Sequence, residues 1–377
     1  MRPRSMRVRA AGAAIALATI AAGCSSGRSD PQPTPEATSH DFGLNIAVVG
    51  DAAVVDEAVE TAGERIDDAL DAAGLPDVEV QLAGPENEAL WDSADVVVST
   101  LACDADRPAF AALWIEVVCA DAVTDDAVAT WRLAPDAELL GRAMAQVMGR
   151  ALGTDATLAI ARADPDLASL VEAFEAVWTQ GGTVSASIEW EPGSDEPAGV
   201  AEALTADEPE GWLIAGGPDG WELLGPQLAS IETWDPLRTF ATPELERADL
   251  PETAGTDATD GLRGLGSAPV DERVVDAVSL AFLAAIAAGS GDAQAIADSL
   301  PGVAGPEGEA TGADRLEEAV RTLLAGDPVN FEGAAGALDL DADGTPAVVT
   351  LRIWRFAGDQ LETVETFRAE RPAPEAG

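Results

Sequence analysis

The chemistry open to this chain is narrowed first by what it lacks. Its only histidine is His40, and all 21 basic residues are arginine. A folded body that begins beyond residue 42 therefore contains no base for a Ser-His or Cys-His couple, and neither a Schiff-base nor a phosphate-loop lysine. A histidine-rich zinc site is equally out of reach. Carboxylate is what remains in quantity: 68 Asp and Glu, for a net charge of −47. Pairs such as Asp219 and Glu244 are chemically able to act as acid and base. With no second kind of catalytic group, however, the chain is expected to be no enzyme, with no catalytic residue and no cofactor. Asp339, Asp341 and Asp343-Gly344 have the opening spacing of a calcium EF-hand loop. Its twelfth position is Thr350 rather than Glu, and a strand rather than a helix follows, so Asp343-Gly344 reads as a turn and no metal site is expected.

The three cysteines carry an address. Arg2, Arg4, Arg7 and Arg9 precede an apolar run, Ala10 to Ala22, that closes on Gly23-Cys24. A basic segment, a short apolar segment and small residues make an export signal, and the run is too short to span a bilayer. Ala21-Ala22-Gly23-Cys24 resembles the bacterial lipobox, with Ala21 where Leu or Val is usual. The resemblance implies that residues 1–23 are a signal peptide and that Cys24 is the lipidation site, anchoring an extracytoplasmic protein to the cell membrane. Removing residues 1–23 takes away four arginines and no acid, so the mature chain is more negative still. Nucleic acid is excluded as a partner, while the acidity suits either a surface that attracts cations or a solvated coat for a salty exterior. Residues 24–42, with Pro31, Pro33 and Pro35, have too little apolar surface to fold and read as a flexible tether. In an oxidising exterior Cys103 and Cys119 are expected to form a disulfide, two buried free thiols being the alternative.

The rest, in a chain that is 47% apolar, is long enough for two lobes of about 100–200 residues each. Short β-rich runs alternate with helical ones, the grammar of parallel sheets covered by helices. Strands are predicted over 45–49, 78–82 and 95–98, a helix from Val55 to Gly74, a helix over 109–114 and a strand over 115–119. A second series runs helix 137–152, strand 157–161, helix 167–180 ending at Gly181-Gly182, strand 183–190, helix 198–205, strand 211–215, helix 221–230 and strand 239–242. An apolar helix of the kind buried between layers follows over 274–288, then a helix over 313–324 and a hairpin of 347–356 with 360–367.

Four stretches in this order carry a resemblance. They are Thr130-Trp-Arg-Leu-Ala-Pro135 before a Gly-containing helix, Asp164-Pro-Asp166 through Gly181-Gly-Thr-Val184, Val275-Asp-Ala-Val278 running into Leu300-Pro-Gly302, and Asn330-Phe-Glu-Gly333 to Gly336 followed by Leu338 to Gly344. The chain from Gly43 to Phe367 is similar to the type I periplasmic binding proteins, in the branched-chain amino acid and amide-binding branch of ABC transporter solute receptors. The resemblance implies an α/β fold of two Rossmann-like lobes with parallel sheets flanked by helices and a cleft between. Three crossings would place 43–133 and 267–329 in the N-terminal lobe, 134–266 and 330–370 in the C-terminal lobe. It further implies a monomer that captures a small, amine-bearing ligand for an ABC permease. Departures from the family pattern, a short segment between Pro85 and Ser93 and the absence of Tyr, point instead to a diverged sensory or scaffolding lipoprotein as the alternative.

Ligands of such receptors sit at loops beyond the carboxyl ends of strands. The corresponding residues here are Ser99, Thr100 and Asp104 after one strand and Asp121 and Ala122 after the next. The second lobe supplies Asp166, where the family has an aromatic, then Asp219, Trp221 as a replacement ring, and Glu244. Thr242-Pro243-Glu244 resembles a Gly-Pro-Glu segment whose carboxylate binds the ligand ammonium.

Overall fold

The computed structural model describes residues 41–85, 91, 93–102, 105, 111–119, 127–193, 195–341 and 344–371. The chain opens with β1 (Phe42–Val49), α1 (Ala52–Ala73), β2 (Val78–Ala83), β3 (Val96–Ser99), β4 (Leu113–Glu116) and β5 (Ala129–Arg132). These strands form one parallel sheet, ordered β2-β1-β3-β4-β5. Next come α2 (Ala137–Leu152), β6 (Thr157–Arg162), α3 (Ala168–Trp178), β7 (Thr183–Glu189), α4 (Pro197–Thr205), β8 (Gly211–Ala215), α5 (Pro218–Ala229), β9 (Thr239–Ala241), α6 (Leu250–Ala254), α7 (Thr256–Thr259) and β10 (Arg263–Gly266). The chain then runs through α8 (Val270–Ala288), α9 (Ala293–Ser299), β11 (Glu309–Gly312), α10 (Leu316–Leu324), β12 (Val329–Gly333), β13 (Gly336–Leu340), β14 (Pro346–Ala357) and β15 (Gln360–Glu370). The second sheet is ordered β11-β12-β13-β14-β10-β9-β8-β6-β7, with β15 paired along β14.

Side-chain alternation decides how each sheet is covered. In β6 and β8, Leu158, Ile160, Leu213 and Ala215 face the core built by α2 and α3. Their neighbours Ala159, Ala161, Trp212 and Ile214 face a second core under α4 to α7, as a period of two requires. Helix α8 is buried from Val274 to Ile286 and packs on α1, β1, β3 and β12. Among the described residues no single helix is long and apolar enough to cross a membrane.

Two expectations need correction. The segment read as a helix over 109–114 ends in a strand, since Leu113 and Trp114 belong to β4, which pairs with β3 and β5. All four residues of β4 are buried, and a short continuous apolar run has no period to separate strand from helix. The helix expected to reach Gly181-Gly182 stops at Trp178.

The connection after β5 carries the chain from the first sheet to the second, where β12 and β13 later lie side by side. A contact at the β12–β13 turn explains why two motifs so far apart in sequence occur together. Asp276 on α8 is 2% exposed, and its carboxylate accepts from the N–H groups of Ala334 (2.7 Å) and Ala335 (2.8 Å) in the β12–β13 turn. A Cβ on Gly333 would fall 2.1 Å from that carboxyl group, so the turn can close on Asp276 only with glycine there. The acids of the Asp339–Asp343 run serve nearby chain: Asp339 pairs with Arg368 at 3.2 Å, and Asp341 accepts from the Thr345 hydroxyl at 3.0 Å. Asp343 lies outside the described residues.

Burial raises the Asp276 pKa from its ordinary 3.8 to about 6; its two amide bonds and Arg65 lower it, and Glu272 raises it. The folded state therefore holds this proton more tightly than the unfolded chain. Stability from this group is complete below pH ~4 and is lost as pH rises through 6, a change of about 3 kcal/mol at ~1.4 kcal/mol per unit. Asp276→Asn keeps one acceptor oxygen, turns an NH2 on the second amide, and should cost about 1–3 kcal/mol at low pH. Thermal melts between pH 4 and 7 should show the parent losing midpoint temperature more steeply than Asp276→Asn; parallel curves would refute the assignment.

Candidate functional site

Strands β6, β8 and β9 run parallel, so the loops after them gather at one edge. Four carboxylates stand there: Asp164 and Asp166 after β6, Asp219 in the first turn of α5, and Glu244 in the short turn after β9. Glu244 is the most constrained. The buried Thr242 hydroxyl accepts from the Gly216 N–H at 3.3 Å. The same side chain lowers the pKa of Glu244, two residues on.

Glu244 is exposed to water, although neighbouring protein displaces part of its solvent shell. Its pKa is raised, chiefly because the surrounding protein displaces solvent, with the negative charge of Asp164 adding to the rise; Thr242 and the backbone act in the opposite direction. Asp164 accepts from the Asp166 N–H at 2.9 Å, which leaves Asp166 exposed. Arg162, the nearest cation in sequence, pairs with Glu189 and donates to the Asp164 carbonyl at 3.4 Å. The mouth of the second sheet keeps an excess of negative charge, which suits a cationic group.

The remaining expected residues fare differently. Trp221 is not a replacement ring: it is 1% exposed in the second core, with its ring centroid 6.4 Å from that of Trp234. Ser99 is fully buried and its hydroxyl accepts from the Leu101 N–H at 3.3 Å, so it shapes the loop from inside. Thr100, half-buried, donates to the Val49 carbonyl at 3.3 Å. Asp219 is exposed and sits where a helix N-terminus favours an acid. Cys24, Cys103, Asp104, Asp121 and Ala122 lie outside the described residues. Cys119 is buried and has no free thiol.

Sequence reasoning missed the effect of Thr242 on Glu244, although its place two residues before the acid was the available signal. It also missed a half-buried charged cluster just behind. Glu246 receives Arg352 at 2.9 Å and lies within the field of Arg273. Burial raises the Glu246 pKa against both arginines. Burial, with repulsion from Arg352, pulls Arg273 down to about 10. A cavity of about 20 Å³, lined in part by Leu133, Pro135, Arg273, Asp276, Gly336 and Thr350, has room for one water molecule.

No family model matches the sequence. The chemotactic signal transduction system substrate-binding protein BasB of Halobacterium salinarum is 27% identical over 203 residues, covering 50% of this chain and 49% of that protein. The chain thus spans about half the length of the curated relative it matches. A putative branched-chain amino acid ABC transporter structure from Rhodospirillum rubrum superposes with a TM-score of 0.62 at 13% identity, over 86% of this chain and 99% of the other. The branched-chain amino acid transporter substrate-binding protein LivJ of Streptococcus pneumoniae, in complex with isoleucine, gives a TM-score of 0.56 at 13% identity, over 87% and 99%. The chain has the type I periplasmic-binding-protein fold.

The two neighbours of Glu244 should move its pKa in opposite directions. Asp164→Asn keeps the turn but removes a negative charge, and Glu244 should titrate at lower pH. Thr242→Val removes a donor, and Glu244 should titrate at higher pH. Carbon-detected NMR of the Glu carboxyl carbons, assigned with Glu244→Gln, reads both; shifts of the same sign would show the wrong surroundings have been credited.

Proposed function

We propose that this protein is an extracytoplasmic solute-binding lipoprotein that captures a small, amine-bearing ligand between two lobes and delivers it to an ABC permease. The observation that carries the reading is Glu244: a water-exposed carboxylate whose charged form is disfavoured by neighbouring protein and Asp164, among acids that no nearby arginine fully neutralises. A primary ammonium offers three donors to such a carboxylate, and an amino acid such as isoleucine, found bound in LivJ, carries one. The proposal includes the lobes 43–133 with 267–329 and 134–266 with 330–370, Asp104, Asp121 and Ala122 on the opposite wall, a Cys103–Cys119 bridge, removal of residues 1–23, and the Cys24 anchor. The protein acts as a monomer.

A second reading has one specific observation in its favour. BasB is named as a substrate-binding protein of chemotactic signal transduction, so the same cleft would report its ligand to a membrane sensor instead of a permease. Deleting the gene separates the two: loss of ligand uptake supports delivery, whereas intact uptake with lost taxis supports sensing.

In a thermal-shift panel of amino acids, amides, polyamines and short peptides, at least one ammonium-bearing compound should raise the melting temperature. Stabilisation is about 2.7 kcal/mol at a hundredfold excess over Kd. Glu244→Gln should weaken that compound about 10- to 100-fold, the worth of a charged hydrogen bond of roughly 1.5–3 kcal/mol. A panel without any shift would end the ammonium-receptor reading.

Cys24→Ser should move the protein from the membrane to the medium on fractionation and abolish incorporation of labelled fatty acid. If the parent incorporates no label, the anchor is wrong while the receptor reading stands.

A further inference from the structure

The connection from β10 to α8 is gripped by guanidinium groups from two sides. Arg273, on α8 against the first sheet, donates from Nε to the Ala268 carbonyl at 3.0 Å and from Nη1 to the carbonyl of Val117, the residue after β4. Arg352, on β14 of the second sheet, donates from Nε to the adjacent Ser267 carbonyl at 3.0 Å and from Nη2 to Glu246 at 2.9 Å. Consecutive carbonyls of this connection are thus held, one by a helix residue that also bonds the residue after β4 and the other from β14.

Glu246 joins this grip to the candidate site. It lies two residues past Glu244, and its N–H closes the same turn on the Pro243 carbonyl at 2.9 Å. Both Arg352 and Arg273 act on its carboxylate. It reaches them by lying over Gly266, where a Cβ would come within 1.8 Å of Oε2. Two buried guanidiniums repel each other, and an acid between them offsets the repulsion. The cluster connects the end of β4, on one wall of the cleft, with the turn that carries Glu244 on the other.

We propose that Arg273 is a positioning residue which, through Glu246 and Arg352, fixes the two ligand walls relative to each other across the β10–α8 connection. It touches no ligand. This rests on the solute-binding reading for its purpose, but its geometry is testable without a ligand.

Hydrogen exchange on the full chain with no added solute provides the test. Arg273→Met should speed exchange at least tenfold in peptides from both walls, 113–119 and 239–247, while the α8 interior, 277–286, stays protected. A residue that merely braced its own helix would loosen α8 and leave 239–247 unchanged. Glu246→Gln should reproduce the two-wall pattern with Arg273 intact, and it supplies the same readout if Arg273→Met does not fold. The double variant should exchange no faster than the faster single variant. Acceleration confined to one wall or to α8, or a double variant whose effects multiply, would overturn the proposal. A ligand panel that fails while the two-wall pattern holds would discredit the receptor and leave the strut.

Discussion

Peptide groups in the β10–α8 connection and the β12–β13 turn have no strand partner and take side chains instead. Leaving such a group buried and unpaired costs about 1–3 kcal/mol, so each segment needs a dedicated partner. The N-terminal half of α8 supplies two of them within one turn. Asp276 takes the amides of Ala334 and Ala335, and Arg273 takes the Ala268 carbonyl. The charges have opposite sign because their tasks do: free N–H groups call for a carboxylate, and free carbonyls call for a guanidinium. Burial then pushes Asp276 up and Arg273 down, the electrostatic cost of holding these segments in place.

That arrangement separates what the sequence discloses from what it hides. Strands β6, β8 and β9 were readable because each is a short buried run between turn signals, and α8 because its apolar face goes nearly all round. Strand β10 was not, since Arg263-Gly-Leu-Gly266 has two glycines and a charge in four residues. Only the approach of Trp354 and Glu246 shows why glycine is required there. The motifs around Asp276 and Gly333 were visible as a pattern, whereas the contact between them, spanning 58 residues from Asp276 to Ala334, exists only in three dimensions. Glu244 was found by its resemblance to a known segment. Trp221 was misjudged for a general reason: an aromatic at the start of a helix serves a core or a ligand equally well until the direction of its side chain is known.

The second core gives that ambiguity a consequence. Trp190, Trp212, Trp221, Trp234 and Trp354 all pack there, in a chain with nine tryptophans and no tyrosine. Large rings are spent on filling the space under α4 to α7. The side chains that share the edge with Glu244 are instead carboxylates, so on the proposed reading this edge would read charge more than aromatic shape. Charge alone discriminates poorly among amines, so selectivity would have to come from other groups.

An acidic mouth on a chain of net charge −47 raises the question of why a cation would prefer it to the rest of the surface. Exposed carboxylates attract cations weakly, and salt screens them beyond about 8 Å at physiological ionic strength. Glu244 differs in that neighbouring protein and Asp164 disfavour its charged form. On the proposed reading an ammonium placed against it would relieve that penalty, so part of the binding energy would come from repulsion already present without ligand. A short contact of this kind would also persist in salt better than the surface attraction does.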